Sequence, residues 1–168
     1  MLTSGSGGAP VPYATASLTL RALLNRSASL AGLGRSAPGG SLSGLTPAAQ
    51  AFAVAVFVGD TPAVVVVPTD ADVERMTADA RFFITALHGA AETTVARTVL
   101  PLPSQEIDPY RELAPHLDVA SARARALTAL ARGTARVIVV SAAGMLPRLS
   151  APERLLRAAV EFHTGGTL

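Results

Sequence analysis

Few side chains in this sequence have both the type and the spacing that chemistry requires. The segment Gly44 to Ala51 reads G-L-T-P-A-A-Q-A. It follows the outline of a phosphate-binding loop, G-x-x-x-x-G-K-[ST], without the working parts. Gly44 holds the first glycine position, and Thr46 lies between the two glycine positions. Ala49 stands at the second glycine, Gln50 at the lysine and Ala51 at the hydroxyl that would ligate magnesium. If Ala49 had to adopt a positive φ, its Cβ would cost about 1–2 kcal/mol. Gln50 carries no charge to offset phosphates, and each lost charge-assisted hydrogen bond is worth roughly 1.5–3 kcal/mol. Ala51 offers the metal no oxygen. No strand candidate ends in an acidic pair that would hold magnesium, and Asp70 reads as a helix cap.

The remaining candidates are weaker. Arg123, Arg125 and Arg132 share a helical segment and lack aromatic neighbours. They read as a solvated or salt-bridged surface rather than a phosphate site. His88, His116 and His163 are far apart and lack acidic partners at helical spacing, so no metal site is expected. Glu106 and Asp108 lie in a Pro-containing loop and suit turn and capping roles. No nucleophile elbow or Ser-His-Asp arrangement is present. Phe82 and Phe83 read as one core anchor and one partly covered ring.

Composition narrows the chemistry further. All 14 basic residues are Arg and none is Lys, which excludes a loop lysine, a Schiff base and a lysine general base. There is no Cys, hence no disulfide, thiolate metal site or thiol nucleophile. The net charge of +2 gives no electrostatic signature of nucleic-acid binding. Hydrophobic residues make up 49% and aromatics 4%, so the core must be built from Ala, Val and Leu. The start of the chain lacks the pattern of a signal peptide, and no apolar run reaches membrane-spanning length. A cytoplasmic protein without membrane association is the expectation.

The elements that must position these residues follow from periodicity. Residues 1–16, rich in Gly, Ser and Pro, read as a disordered leader. A helix is expected over 18–33, with apolar positions at Leu20, Leu23, Leu24 and Leu30. A short buried strand is expected over 41–45, then a helix over 47–58 opened by Pro47. The run A-V-V-V-V at 63–67 reads as a strand buried on both faces. Asp70 would cap a helix over 71–87 whose apolar face is Val73, Met76, Ala80, Phe83 and Leu87. A strand over 95–100 ended by Pro101 and Pro103, an ordered loop over 104–117 and a helix over 120–130 follow. A strand over 136–140, a short helix over 142–149 and a last element from Pro152 complete the α/β pattern of a mostly parallel sheet flanked by helices. One domain over 17–157 is expected, with 158–168 a tail or the start of a further domain.

One family joins these pieces in order. The succession Leu42-Ser43-Gly44-Leu45-Thr46, VVVVPTDADVERMTADARFF at 64–83, EIDPYRELAPHLDVASARARALTAL at 106–130 and ARVIVVSAAGMLPRL at 135–149 resembles the N-terminal region of bacterial transcription-repair coupling factor. That region is itself similar to the first domain of the excision-repair B subunit. The matching positions are Phe82 and Phe83, Pro109 and Tyr110, Arg123 with Ala129 and Leu130, and Val139-Val140-Ser141. The match covers 42–149, about two-thirds of the chain. The B subunit keeps an intact P-loop and a Tyr-rich hairpin after its P-Y position. Here Tyr110 is followed by R-E-L-A-P-H-L-D, which favours the coupling factor. The resemblance implies a degenerate P-loop (RecA/helicase-like) domain with no catalytic residue, no cofactor and no metal of its own. ATP and magnesium would belong to downstream motor domains of an ATP-dependent translocase that displaces stalled RNA polymerase. It further implies a scaffold that packs on other domains of the same polypeptide. The excision-repair A subunit would be reached through an adjoining domain, and polymerase and DNA through later ones. The alternatives left open are a divergent P-loop nucleotide-binding protein and a free-standing repair adaptor.

Overall fold

The computed structural model describes residues 13–33, 39–58, 62–105 and 116–159. Pro109, Tyr110, Glu106, Asp108 and His163 lie outside the described residues, as do 1–12 and 160–168. Among the described residues three strands, β1 (Ala63–Val67), β2 (Val99–Leu102) and β3 (Val137–Ser141), form one parallel sheet in the order β1-β3-β2. Val139 in the central strand pairs with Val65 on one side and Pro101 on the other. All five residues of β3 are buried, as a continuous apolar run in a parallel sheet requires.

Six described helices surround the sheet: α1 (Tyr13–Leu30), α2 (Pro47–Phe57), α3 (Asp70–His88), α4 (Glu92–Thr98), α5 (Leu117–Ala131) and α6 (Pro152–Ala158). Alternate residues of β3 serve two cores, because successive side chains leave a strand on opposite faces. Val137 and Val139 pack with Ala51 and Ala55 of α2 and Val73, Ala80 and Ile84 of α3. Ile138 and Val140 pack with Leu100, Leu102 and Ala126 of α5. Ala51, Ala55, Ala80 and Ala126 have no exposed surface at all. Alanine at these contacts, rather than larger residues, is how a chain so poor in aromatics closes its interior.

The α/β expectation holds: a small parallel sheet lies between helices. Several local readings change. No strand forms over 41–45; the segment is irregular, exposed from Ser41 to Gly44 and only half-buried at Leu45. Its two serines and one glycine leave too little apolar surface to join a sheet. Residues 95–98, expected in a strand, complete α4, and β2 begins at Val99 and contains Pro101. Pro101 is tolerated because β2 is an edge strand. The run 63–67 is not buried on both faces: β1 is the other edge, and Val64 and Val66 are 56% and 53% exposed. The helix over 18–33 begins earlier, at Tyr13, and its leucines mostly face outward, with Leu23 59% and Leu30 81% exposed. Leu24 packs on the core and Ala28 is buried. After β3 the expected helix shrinks to a single 3-10 turn, Ala143–Met145.

The start of α3 also differs. Thr69, not Asp70, is the N-cap. Its hydroxyl accepts from Asp72 N at 3.2 Å, and Asp72 Oδ2 accepts from Thr69 N at 3.2 Å. This reciprocal capping box satisfies two end donors at once and frees Asp70 for a longer-range role. Thr69→Ala is expected to lower the unfolding free energy by about 1 kcal/mol, measured by urea denaturation. At the far end, Gly89 closes α3 in the left-handed conformation, φ +65°, with its N–H on Thr85 O at 2.9 Å, the usual glycine ending of a helix.

Candidate functional site

In an open parallel sheet, ligands gather beyond the carboxyl ends of the strands. Two side-chain groups meet there. The first is the loop-like segment 44–51. Gly44 has φ +75°, but α2 already starts at Pro47. Thr46 caps the helix, its hydroxyl accepting from Ala49 N at 3.3 Å, and Gln50 N bonds to Thr46 O at 2.9 Å. Ala49 therefore sits inside a helix, and the strain of a positive φ does not arise. The side-chain amide of Gln50 turns back to Leu45 O at 3.3 Å. Ala51 is wholly buried in the core. A phosphate cradle needs several backbone N–H groups converging on one point; here Pro47 has none and Ala49 is used by the cap.

Beside this helix lies a cavity of about 210 Å³ lined by Gln50, Val67, Asp72, Arg75, Met76 and Asp79 among others. Arg75 is held by Asp72 three residues back, and Asp79 adds a further carboxylate. A phosphate entering here would meet two carboxylates against one arginine already engaged, so the local field opposes it.

The second group joins the ends of all three strands. Asp70, at the first turn of α3 just beyond β1, accepts from Ser104 N at 2.8 Å and from the Ser104 hydroxyl, just beyond β2. Arg123 of α5 donates to Pro103 O. Ser141, the last residue of β3, accepts from Gly144 N at 3.0 Å. Arg123 is only 5% exposed and Ser141 1%, so the expectation of a solvated arginine face fails for Arg123, while Arg125 and Arg132 are exposed. Burial alone would raise the Asp70 carboxyl. Hydrogen bonds from the Ser104 hydroxyl, the Ser141 side chain and Ser104 N–H, with the Arg123 charge, outweigh it and hold Asp70 below its ordinary 3.8, because each favours the ionised form. Burial likewise pulls the Arg123 guanidinium down, and Asp70 opposes that pull.

This network gives the chain an acid limit. With its carboxyl lower in the folded chain than in the unfolded one, Asp70 contributes stability that is complete above the unfolded value. The contribution falls away as pH drops through the folded value, below which both states bind the proton equally. Asp70→Asn is therefore expected to lower stability at pH 7 and to flatten its decline below about pH 4. Thermal denaturation at a series of pH values measures both effects.

Next to this cluster is a cavity of about 550 Å³ lined by Asp70, Glu74, Ser104, Asp118, Val119 and Arg125 among others. Three carboxylates to one guanidinium again disfavour an anionic ligand. The arrangement ties α3, the ends of β2 and β3, and α5 together. Among the described residues no group of three or more His, Asp or Glu side chains is placed to hold a metal ion. His88 reaches Ala55 O at 3.1 Å, and His116 caps α5, accepting from Asp118 N at 3.3 Å. Phe83 is half-buried and packs on Phe52 with ring centroids 5.3 Å apart, while Phe82 is 54% exposed. Residue patterning does not single out Ser104. The signal available for it is a serine directly after P-L-P, at the point where the chain leaves a strand.

Comparison with protein-family models, curated proteins and solved structures gives no match. No helix among the described residues is long and apolar enough to cross a membrane.

Proposed function

We infer that this chain is a non-hydrolysing scaffold module of the transcription-repair coupling type, a degenerate P-loop domain whose role is to pack against other protein surfaces. The ordered resemblance from Leu42 to Leu149 supports the family. The observation that carries the non-hydrolysing part is the early start of α2 at Pro47, which replaces a phosphate cradle with a capped helix beside Asp72 and Asp79. The chemistry left at the strand ends, Asp70, Ser104, Ser141 and Arg123, is a closed hydrogen-bonded network suited to rigidity. In this reading, ATP, magnesium and DNA are handled by other domains. The excision-repair A subunit and RNA polymerase are met through the larger assembly.

Titration calorimetry with magnesium-ATP tests the reading. The purified chain is expected to show no saturable binding tighter than about 1 mM and no phosphate release above buffer. Micromolar binding with turnover would instead establish a divergent nucleotide-binding enzyme and defeat the scaffold reading.

A further inference from the structure

The two edges of the sheet are treated differently. On β2, Pro101 has no N–H to offer, and Arg81 covers Val99 O with Nε at 3.0 Å and Nη2 at 2.8 Å. A proline and a capping cation are how natural sheets block an edge. On β1 the ladder to β3 uses Ala63 N, on Arg136 O at 2.9 Å, and Val67 O, from Ala142 N at 2.9 Å. Backbone groups of a strand alternate sides, so those of Val64 and Val66 point away from the sheet. The same two residues carry the exposed side chains, on the face that α5 covers over β2 and β3 but not over β1. The strand A-V-V-V-V contains no charge, no proline and no bulge. Among the described residues it is an edge without protection.

We propose that β1 pairs with β1 of a second copy of this chain, antiparallel about a two-fold axis at Val65, to give one continuous six-stranded sheet. The outward groups are self-complementary in that register. Val64 of each copy faces Val66 of the other, and each facing pair exchanges two N–H to O=C bonds. The axis is perpendicular to the sheet, so the four valines share a face and cover one another between the two α5 helices. The ends also match in charge. Arg136 adjoins the amino end of β1, where its side chain reaches Val58 O, and the cavity at the carboxyl end beside Val67 holds Asp72 and Asp79 against a single arginine, Arg75, already paired with Asp72. Antiparallel pairing brings unlike ends together, whereas parallel pairing would set like beside like.

Sedimentation equilibrium of the 168-residue chain is the test. At about 100 µM, where a dimer of micromolar Kd is mostly assembled, the mass is expected to be twice 17.1 kDa. The double variant Val64→Lys/Val66→Lys is expected to weaken association by roughly 100-fold while keeping the wild-type circular dichroism. Hydrogen exchange provides a check that needs no variant: the Val64 and Val66 amides are expected to be protected at high concentration and to lose protection on dilution. A monomer at about 100 µM, a lysine variant that remains dimeric, or fast exchange of those two amides at high concentration would each overturn the proposal.

Discussion

Arg123→Ala is expected to lower the unfolding free energy by about 3 kcal/mol, because it removes a buried charge and a charge-assisted hydrogen bond together. Arg123 is 5% exposed, and its guanidinium holds Pro103 O at the end of β2. Alanine leaves that carbonyl without its donor and Asp70 without the positive charge that opposes its protonation. It also opens space in the wall of a separate cavity of about 280 Å³ that Arg123 lines with Leu127 and Leu149. Urea denaturation of the variant measures the loss. If Arg123 were a solvated surface residue, the change would stay within about 0.5 kcal/mol.

Ile138→Ala should cost as much or more, about 3–4 kcal/mol. Ile138 is 1% exposed in the central strand, packed against Leu100, Leu102 and Ala126. Both faces of β3 are covered, so the surroundings cannot collapse into the space left by the removed atoms. The control is Leu23→Ala on α1, where the side chain is 59% exposed, and the expected change is within about 0.5 kcal/mol. Equal losses at the two positions, read from urea midpoints, would mean that β3 is not the centre of the core.

Ile138 and Leu23 show what patterning conveys and where it stops. The run V-I-V-V is legible as a buried strand because four consecutive β-branched residues suit a strand covered on both faces. The run A-V-V-V-V looks the same by that rule, yet it lies at an edge. Burial of an edge strand depends on what sits beside it, which local composition does not encode. Leu20, Leu23, Leu24 and Leu30 have helical spacing, and the helix forms, but of that stripe Leu24 packs on the core while Leu23 and Leu30 face outward. The helical turn over 95–98 is hidden from pattern reading because Val95, Thr98 and Val99 favour strands locally. Packing of α4 on α3 and β2, with Val95 buried, overrides that preference.

The candidate sites divide in the same way. The sequence alone determined the chemistry that is missing: without Lys or Cys, and with Ala49, Gln50 and Ala51 in the loop, no geometry could restore a lysine–phosphate contact or a hydroxyl on the metal. It also determined the helices begun at Pro47, near Asp70 and near Ala120 and the strands over 63–67 and 136–140, because apolar period and turn residues act over a few neighbours. Only the tertiary structure decided that Asp70, Ser104, Ser141 and Arg123 meet, since they come from four different stretches of the chain. It also decided that Thr69 takes over the cap, leaving Asp70 to reach across to Ser104. Sheet order places β3 between β1 and β2 and brings three strand ends to one point. Long-range pairing of this kind follows from how the whole chain buries its apolar faces, and no local window of sequence contains it.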